Sequence, residues 1–300
     1  MSTWTHCLLL PSMLQNTLKN PWLALSIGNS RLHWALFVDQ TLLQTWDCAH
    51  LELANLQEFR PQIWTEWQTL FPDALRQSIR QSSLEKCVPE LWLLSVVPAQ
   101  ATVWQNYPKL NVLHLSNIPL QDTYPTLGID RAIALWGAGL TYGWPCLVID
   151  AGTALTFTGA DARGHFVGGA ILPGLRLQFN ALAKSTADLP LIELPDDLPE
   201  LWATETVIAI QSGIIQTVIA GINHRITQWR LRYPDSPVVL TGGDASRLGT
   251  YCDRWVDQYG DRPSLALGKG INLRLDLDLV FKGIQAIRAQ KCIKKTEHSP

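Results

Sequence analysis

Three short stretches of this chain combine glycine, a hydroxyl side chain and a preceding apolar run, the ingredients of a phosphate site. Ser26-Ile27-Gly28-Asn29-Ser30 and Asp150-Ala151-Gly152-Thr153-Ala154 each end a buried strand and open a hairpin. A tight turn of this kind can aim backbone N–H groups and a side-chain hydroxyl at phosphate oxygens. Either one alone reads equally as an ordinary turn; together, two facing hairpins can grip a triphosphate from opposite sides of a cleft. The third stretch, Thr241-Gly242-Gly243-Asp244-Ala245, follows a buried strand and precedes a helical stretch. Its glycines let a phosphate or a flat ligand approach the backbone. Neither GxxxxGK[ST] nor a GxGxxG after a strand is present, so a bound nucleotide would not use those loops.

Two carboxylates stand out. Asp150 ends an apolar strand, where a charge is costly unless a cation or a donor network compensates it, and its oxygens suit a metal ion. Asp130 lies in Gly128-Ile129-Asp130-Arg131 at the start of a helix. It reads either as an acid favoured by the helix dipole beside an exposed arginine, or as a general base for a hydroxyl, with Arg131 clamping a carboxylate or phosphate. Residue chemistry leaves both open. His33 and His165 lie near the hairpins, but a lone histidine in a strand is usually packed or on the surface. There is no nucleophile-elbow serine and no HExxH.

The elements that must position these residues follow from the apolar pattern. Trp22–Ile27, Arg31–Val38, Leu42–Trp46, Leu91–Val97 and Asn111–Leu115 read as strands, with helices over Leu53–Phe71, Asp73–Cys87 and Ile129–Tyr142. The pattern then restarts, with strands at Cys146–Asp150, Ala154–Gly159, His165–Leu172 and Val238–Leu240. Helices are expected over Leu175–Lys184, most of Thr204–Arg232, and Leu277–Ala289. The restart predicts a duplicated three-strand meander with helices, divided near the Gly143–Pro145 turn. Residues 1–21 read as an extension, 22–143 and 144–290 as the two halves, and 291–300 as a polar, solvated tail.

Composition narrows the classes. With 300 residues, 47% hydrophobic and 17% charged, the chain can bury a large core. A net charge of -2 without a basic run argues against nucleic acid. The six cysteines show no CxxC and no zinc spacing, which reads as reduced thiols in a cytoplasmic protein. No stretch reads as a membrane span, and the apolar Cys7–Leu14 run is too short and proline-broken for a leader. The thirteen tryptophans are spread along the chain and read as core.

The ordered set IGNS, YPTLGIDR, DAGTALT, GGAILPGLRL, ALAKSTADLP, TETVIAIQSG and TGGDA, over about residues 22–245, closely resembles type III pantothenate kinases. The resemblance implies an α/β, duplicated ribonuclease H-like fold of the actin and sugar-kinase type, two domains around a nucleotide cleft, working as a homodimer. It implies transfer of the ATP γ-phosphoryl group to pantothenate, with Mg²⁺ and a monovalent cation, K⁺ or NH₄⁺. By motif position Asp130 is the proton acceptor, and Tyr124, Gly128, Ile129, Asp130, Arg131 and Thr206 meet pantothenate. Ser26, Gly28, Asn29, Ser30, Thr153, Gly242 and Gly243 surround ATP, and Asp150 holds the monovalent cation. The family's first motif usually opens with an acid, DxGNT, where this chain has Ser26. Loss of that carboxylate fits weaker metal binding in an active kinase. It also fits a non-catalytic nucleotide-binding member, or another kinase or phosphatase on the same fold.

Overall fold

Pro21–Ile27 (β1) and Leu32–Val38 (β2) are apolar at almost every position, as strands covered on both faces must be. In the computed structural model, which describes residues 20–50, 70–80, 88–259 and 273–297, they pair antiparallel around the Gly28–Arg31 turn. Thr41–Cys48 (β3) extends this hairpin outward. After Asp73–Arg80 (α1), Glu90–Ser95 (β4) returns parallel to β1. The short helix Pro98–Thr102 (α2) then leads to Leu110–Val112 (β5). The sheet order is β3-β2-β1-β4-β5.

After Ile129–Tyr142 (α3) the same construction repeats. Cys146–Ala151 (β6), Ala154–Ala160 (β7) and Phe166–Pro173 (β8) form an antiparallel meander. Leu175–Ser185 (α4) and Thr206–Arg232 (α5) lead to Val238–Thr241 (β9), parallel to β6. Ala245–Tyr259 (α6) precedes Arg274–Leu275 (β10), and Leu279–Glu297 (α7) is the last helix. The second order, β10-β9-β6-β7-β8, has the connectivity of the first strand for strand. This is the duplicated ribonuclease H-like architecture of the actin and sugar-kinase type.

By contacts the chain forms two compact units: 1–118 with 128–130 and 284–300, and 119–127 with 131–283. In the first, one face of the sheet buries Leu23, Leu25, Ile27, Leu91 and Leu93 with an aromatic cluster. Trp34 stacks on Trp46 at 5.9 Å and meets Trp104 edge-on at 5.3 Å. On the other face α7 lays its long cations over indoles: Arg288 caps Trp22 at 4.7 Å while its Nε bonds Glu90 at 3.0 Å, and Lys291 caps Trp92 at 5.0 Å. In the second unit Leu147, Ile149, Phe157 and Leu240 face Ile215, Ile219 and Ile222 of α5 and Leu248, Tyr251 and Cys252 of α6.

Several expectations change. Of the expected helix Leu53–Phe71 all but the last two residues lies outside the described residues, as do 81–87 and 1–19, and Leu70 and Phe71 are not α-helical. The strand expected over Asn111–Leu115 is shorter, and Leu115–Asn117 is a 3₁₀ turn. The expected tail continues α7 as far as Glu297, with Lys291 over the Trp92 indole and Cys292 and Ile293 exposed. A membrane-length stretch does exist: α5 is long and apolar enough to span a bilayer. Its apolar stripe packs on the second sheet, and its buried Gln216 bonds the Pro199 carbonyl at 2.8 Å, which marks a core helix. Cys48, Cys146, Cys252 and Cys292 form no disulfide; burial pushes Cys146 and Cys252 up to about 12, which leaves both inert. Trp202, at 86% exposed, is an exception to the reading of tryptophan as core.

Candidate active site

Each glycine turn is built on the first hairpin of its own sheet, and the two are structural counterparts. Ser26 and Asp150 are the penultimate residues of β1 and β6, and Gly28 and Gly152 follow the strands. The Gly28 N–H donates to the Arg31 carbonyl at 3.0 Å, and the Gly152 N–H to the Ala154 carbonyl at 3.1 Å. The second turn is therefore one residue tighter. Asn29, Ser30 and Thr153 are exposed at the tips, where a phosphate can reach them.

Around the first hairpin stand two histidines, His33 and His50. Strand register aligns Ser26, His33 and Asp47 across β1, β2 and β3, so all three share one face. His33 Nδ1 lies 2.7 Å from Asp47 Oδ1, with Arg31 at 3.9 Å from the same carboxylate. Burial opposes ionisation of Asp47, but the hydrogen bond and charge of His33, with Arg31 behind them, outweigh it and hold its pKa below the ordinary value. His50 Nε2 meets the Gly28 carbonyl at 2.8 Å, so the turn is braced from its backbone side as well. The buried Ser26 brings a hydroxyl to this row, and the carboxylate of the row stands on β3 instead.

In the second unit the glycines of three separate motifs interlock. A Cβ on Gly174 would stand 2.1 Å from the Gly152 carbonyl oxygen, and the Gly174 N–H donates to the Thr153 carbonyl at 2.9 Å. Gly242 has φ +98°, and a Cβ there would meet Asp150 Oδ1 at 2.3 Å. The Asp244 N–H donates to the Ala151 carbonyl at 2.9 Å, and Arg176 Nε to Asp244 Oδ1 at 3.0 Å. GGAILPG and TGGDA therefore hold the DAGT turn from two sides. Gly174, Arg176 and Asp244 lie in the GGAILPGLRL and TGGDA motifs, but their roles do not show in the sequence because their partners are tens of residues away.

A second cluster surrounds Arg131. Its guanidinium is buried and donates from Nε to Thr158 Oγ1 at 3.0 Å, from Nη1 to the Tyr124 hydroxyl at 3.2 Å and from Nη2 to the Phe157 carbonyl at 3.0 Å. Tyr124 packs edge-on against Phe166 at 5.6 Å. His165 Nδ1 lies 3.2 Å from Asp122, and the Phe166 N–H donates to the Gln121 carbonyl at 2.8 Å, which fastens the Tyr124 segment to β8. A Cβ on Gly169 would stand 2.4 Å from Arg131 Nη2, so that glycine clears the path of the guanidinium. Gly128 and Ile129 lead into α3, and Asp130 is the acid of its first turn. Thr206 is the exposed first residue of α5 and takes no part in the Arg131 network.

Residues 22–228 match the family model described as type III pantothenate kinase. The chain belongs to the type III pantothenate kinase family. Relatives of that name in Nostoc sp. and Synechocystis sp. are 43% and 40% identical, over 91% of this chain each and 96% and 93% of their own lengths. Among solved structures, a Baf family transcriptional activator of Campylobacter jejuni superposes with a TM-score of 0.55 at 17% identity, covering 90% of this chain and 99% of that one. The ethanolamine utilization protein EutJ of Carboxydothermus hydrogenoformans does so with a TM-score of 0.51 at 12% identity, covering 91% and 92%. At those identities the likeness shows the fold alone. In this pantothenate kinase family member, the matched region carries both hairpins, the Arg131 cluster and the start of α5.

Proposed function

We propose that this chain phosphorylates pantothenate with ATP, giving 4'-phosphopantothenate and ADP in the first step of coenzyme A biosynthesis. The observation that carries the reading, beside family membership, is the Gly128–Arg131 turn. It sets an acid in the first turn of α3, and the next residue is an arginine that fixes Tyr124. Asp130 takes the proton of the pantothenate hydroxyl as that oxygen bonds to the γ-phosphorus. The bond from the γ-phosphorus to the β,γ-bridging oxygen breaks, and ADP leaves. Such a transfer asks for positioning and charge neutralisation more than for a potent nucleophile. Tyr124, Gly128, Ile129 and Arg131 line the acceptor side, with Thr206 as a further contact. Gly28, Asn29, Ser30, Thr153, Gly242 and Gly243 hold ATP, with Ser26 beneath the first turn.

Mg²⁺ enters as part of the substrate Mg–ATP. The first hairpin does not fit a directly ligated divalent ion: Ser26 is a hydroxyl, and the carboxylate of its row, Asp47, is engaged by His33 and Arg31. The monovalent cation fits better, since Asp150 Oδ1 lies between two glycine turns within reach of hydroxyl side chains. When bound there, it adds positive charge to the phosphate site. ADP and phosphopantothenate formed from ATP, Mg²⁺ and K⁺ test the whole reading; no product with all three in excess would end it. Ser26 favours one rival, a nucleotide-binding member without turnover. Against it, Ser26→Asp is expected to lower the KM for Mg–ATP by about tenfold, the scale of one bond to a charged group at a buried position. Mg–ATP binding by both proteins with no turnover in either would favour the rival.

We also assign the chain to the cytoplasm as a homodimer, with its first repeat over residues 22–143 and its second over 144–290. The second unit exposes Ile171 on the edge strand β8, Leu177 on α4, and Trp202, Val207 and Ile208 around the start of α5, beside Thr206. Large exposed apolar side chains along a sheet edge are what a partner copy would cover. Sedimentation of the wild type as a dimer and of Trp202→Asp/Ile208→Asp as a monomer is expected; a dimeric double variant would place the interface elsewhere.

A further inference from the structure

The row of side chains that crosses the second sheet at Asp150 contains an atom with nothing to bond. Thr156 on β7 is the direct antiparallel partner of Asp150, and Thr241 on β9 is its parallel partner on the other side. Directly paired residues share a face with Cβ atoms about 5 Å apart, so the two threonines flank the carboxylate. Thr156 is 7% exposed, and its Oγ1 has no hydrogen-bond partner. Burying a hydroxyl unpaired is costly, and native structures rarely leave one so. Two residues along the same strand and face, the Thr158 hydroxyl does accept a bond, from Arg131 Nε at 3.0 Å.

The surroundings of the orphan hydroxyl are those of a cation site. A Cβ on Gly242 would stand 2.3 Å from Asp150 Oδ1 and one on Gly152 3.5 Å, so both turns present bare backbone to the carboxylate. One carboxylate with neutral hydroxyl oxygens suits a hard, singly charged ion, since K⁺ exchanges its hydration shell for neutral protein oxygens in other settings. Zinc-like metals ask for histidine and cysteine, and among the described residues no group of three or more His, Cys, Asp or Glu side chains is gathered.

We propose that Thr156 Oγ1 is a direct ligand of the monovalent cation held at Asp150. The inference rests on the reading of Asp150 as the cation site and adds the residue that completes it. K⁺ takes a lone pair of Oγ1; NH₄⁺ donates a hydrogen bond to the same lone pair. In either case the buried hydroxyl acquires the partner it lacks.

The experiment is the melting temperature of the full chain, without substrates, in KCl against choline chloride at equal ionic strength. A ligand of the folded state raises Tm by mass action, so K⁺ should stabilise the wild type, and Asp150→Asn should abolish that response. Thr156→Val keeps the side-chain shape and removes the hydroxyl. Its Tm in choline should equal or exceed that of the wild type, because an unpaired buried polar atom is gone. The K⁺ dissociation constant fitted to the rise of Tm with K⁺ concentration should increase about tenfold, as when a metal site loses a supporting group, and Thr156→Ser should restore it. A wild-type K⁺ response in Thr156→Val overturns this inference alone, provided Asp150→Asn has lost it. A lower Tm in choline with the K⁺ response intact makes the hydroxyl structural. A raised KM for pantothenate with an unchanged K⁺ constant hands Thr156 to the acceptor. No K⁺ response in the wild type overturns the Asp150 reading as well.

Discussion

Asp130→Asn should lower kcat by about 10²- to 10⁴-fold, the usual contribution of a positioned general base, with the melting temperature almost unchanged. The substitution separates the two readings that residue type left open. Asn and Asp have the same shape, and the loss of a first-turn carboxylate from α3 costs only about 0.3–1 kcal/mol of helix-dipole interaction. If Asp130 served only the helix, stability would fall by that small amount and turnover would persist. If it takes the proton of the attacking hydroxyl, turnover collapses while the KM for ATP stays near wild type, because the nucleotide is held by other residues. The measurement is steady-state ADP release beside thermal unfolding of the same preparation. Full activity in Asp130→Asn would remove the residue from the base role.

Much of the fold was legible because both halves rest on strands buried on two faces. Trp22–Ile27 and Cys146–Asp150 are short continuous apolar runs, and a turn of Gly with a hydroxyl residue follows each. The identical order of the two sheets is the physical source of that repeated pattern. The rest depends on side chains that meet only after folding. β10 has two residues, too few for any alternation to register. Lys291 reads as part of a charged tail, because only the docking of α7 brings it over the Trp92 ring. His33 and Asp47 are 14 positions apart, and only the register of β2 on β3 brings them to 2.7 Å. Within the candidate site, the glycines of DAGT, GGAILPG and TGGDA were visible as motifs. Their mutual wedging, Gly174 on the Gly152 carbonyl and Gly242 on Asp150, was not.

The same distinction governs Arg131, a clamp by its residue type. Bonds from its guanidinium to Thr158, Tyr124 and Phe157 also tie it to β7 and to the Tyr124 segment, so a bracing role can be tested beside the clamp. Arg131→Ala strips the donor from the buried Thr158 hydroxyl and the Phe157 carbonyl, at about 1–3 kcal/mol for each atom left unpaired. Lysine is no substitute, since a single ammonium cannot span the fork. Both variants should lose about 10²-fold in kcat/KM for pantothenate, the scale expected when a positioning element shifts by an ångström. The KM for ATP should change little. A check independent of charge comes from Gly169→Ala, whose methyl would meet Arg131 Nη2 at 2.4 Å and the Phe157 carbonyl oxygen at 2.0 Å. The guanidinium is retained there but must move. If Arg131 acts as a brace, Gly169→Ala therefore reproduces the acceptor-side defect with the charge still in place. If it acts as a bare charge near the acceptor, Arg131→Lys stays close to wild type and Gly169→Ala loses stability alone.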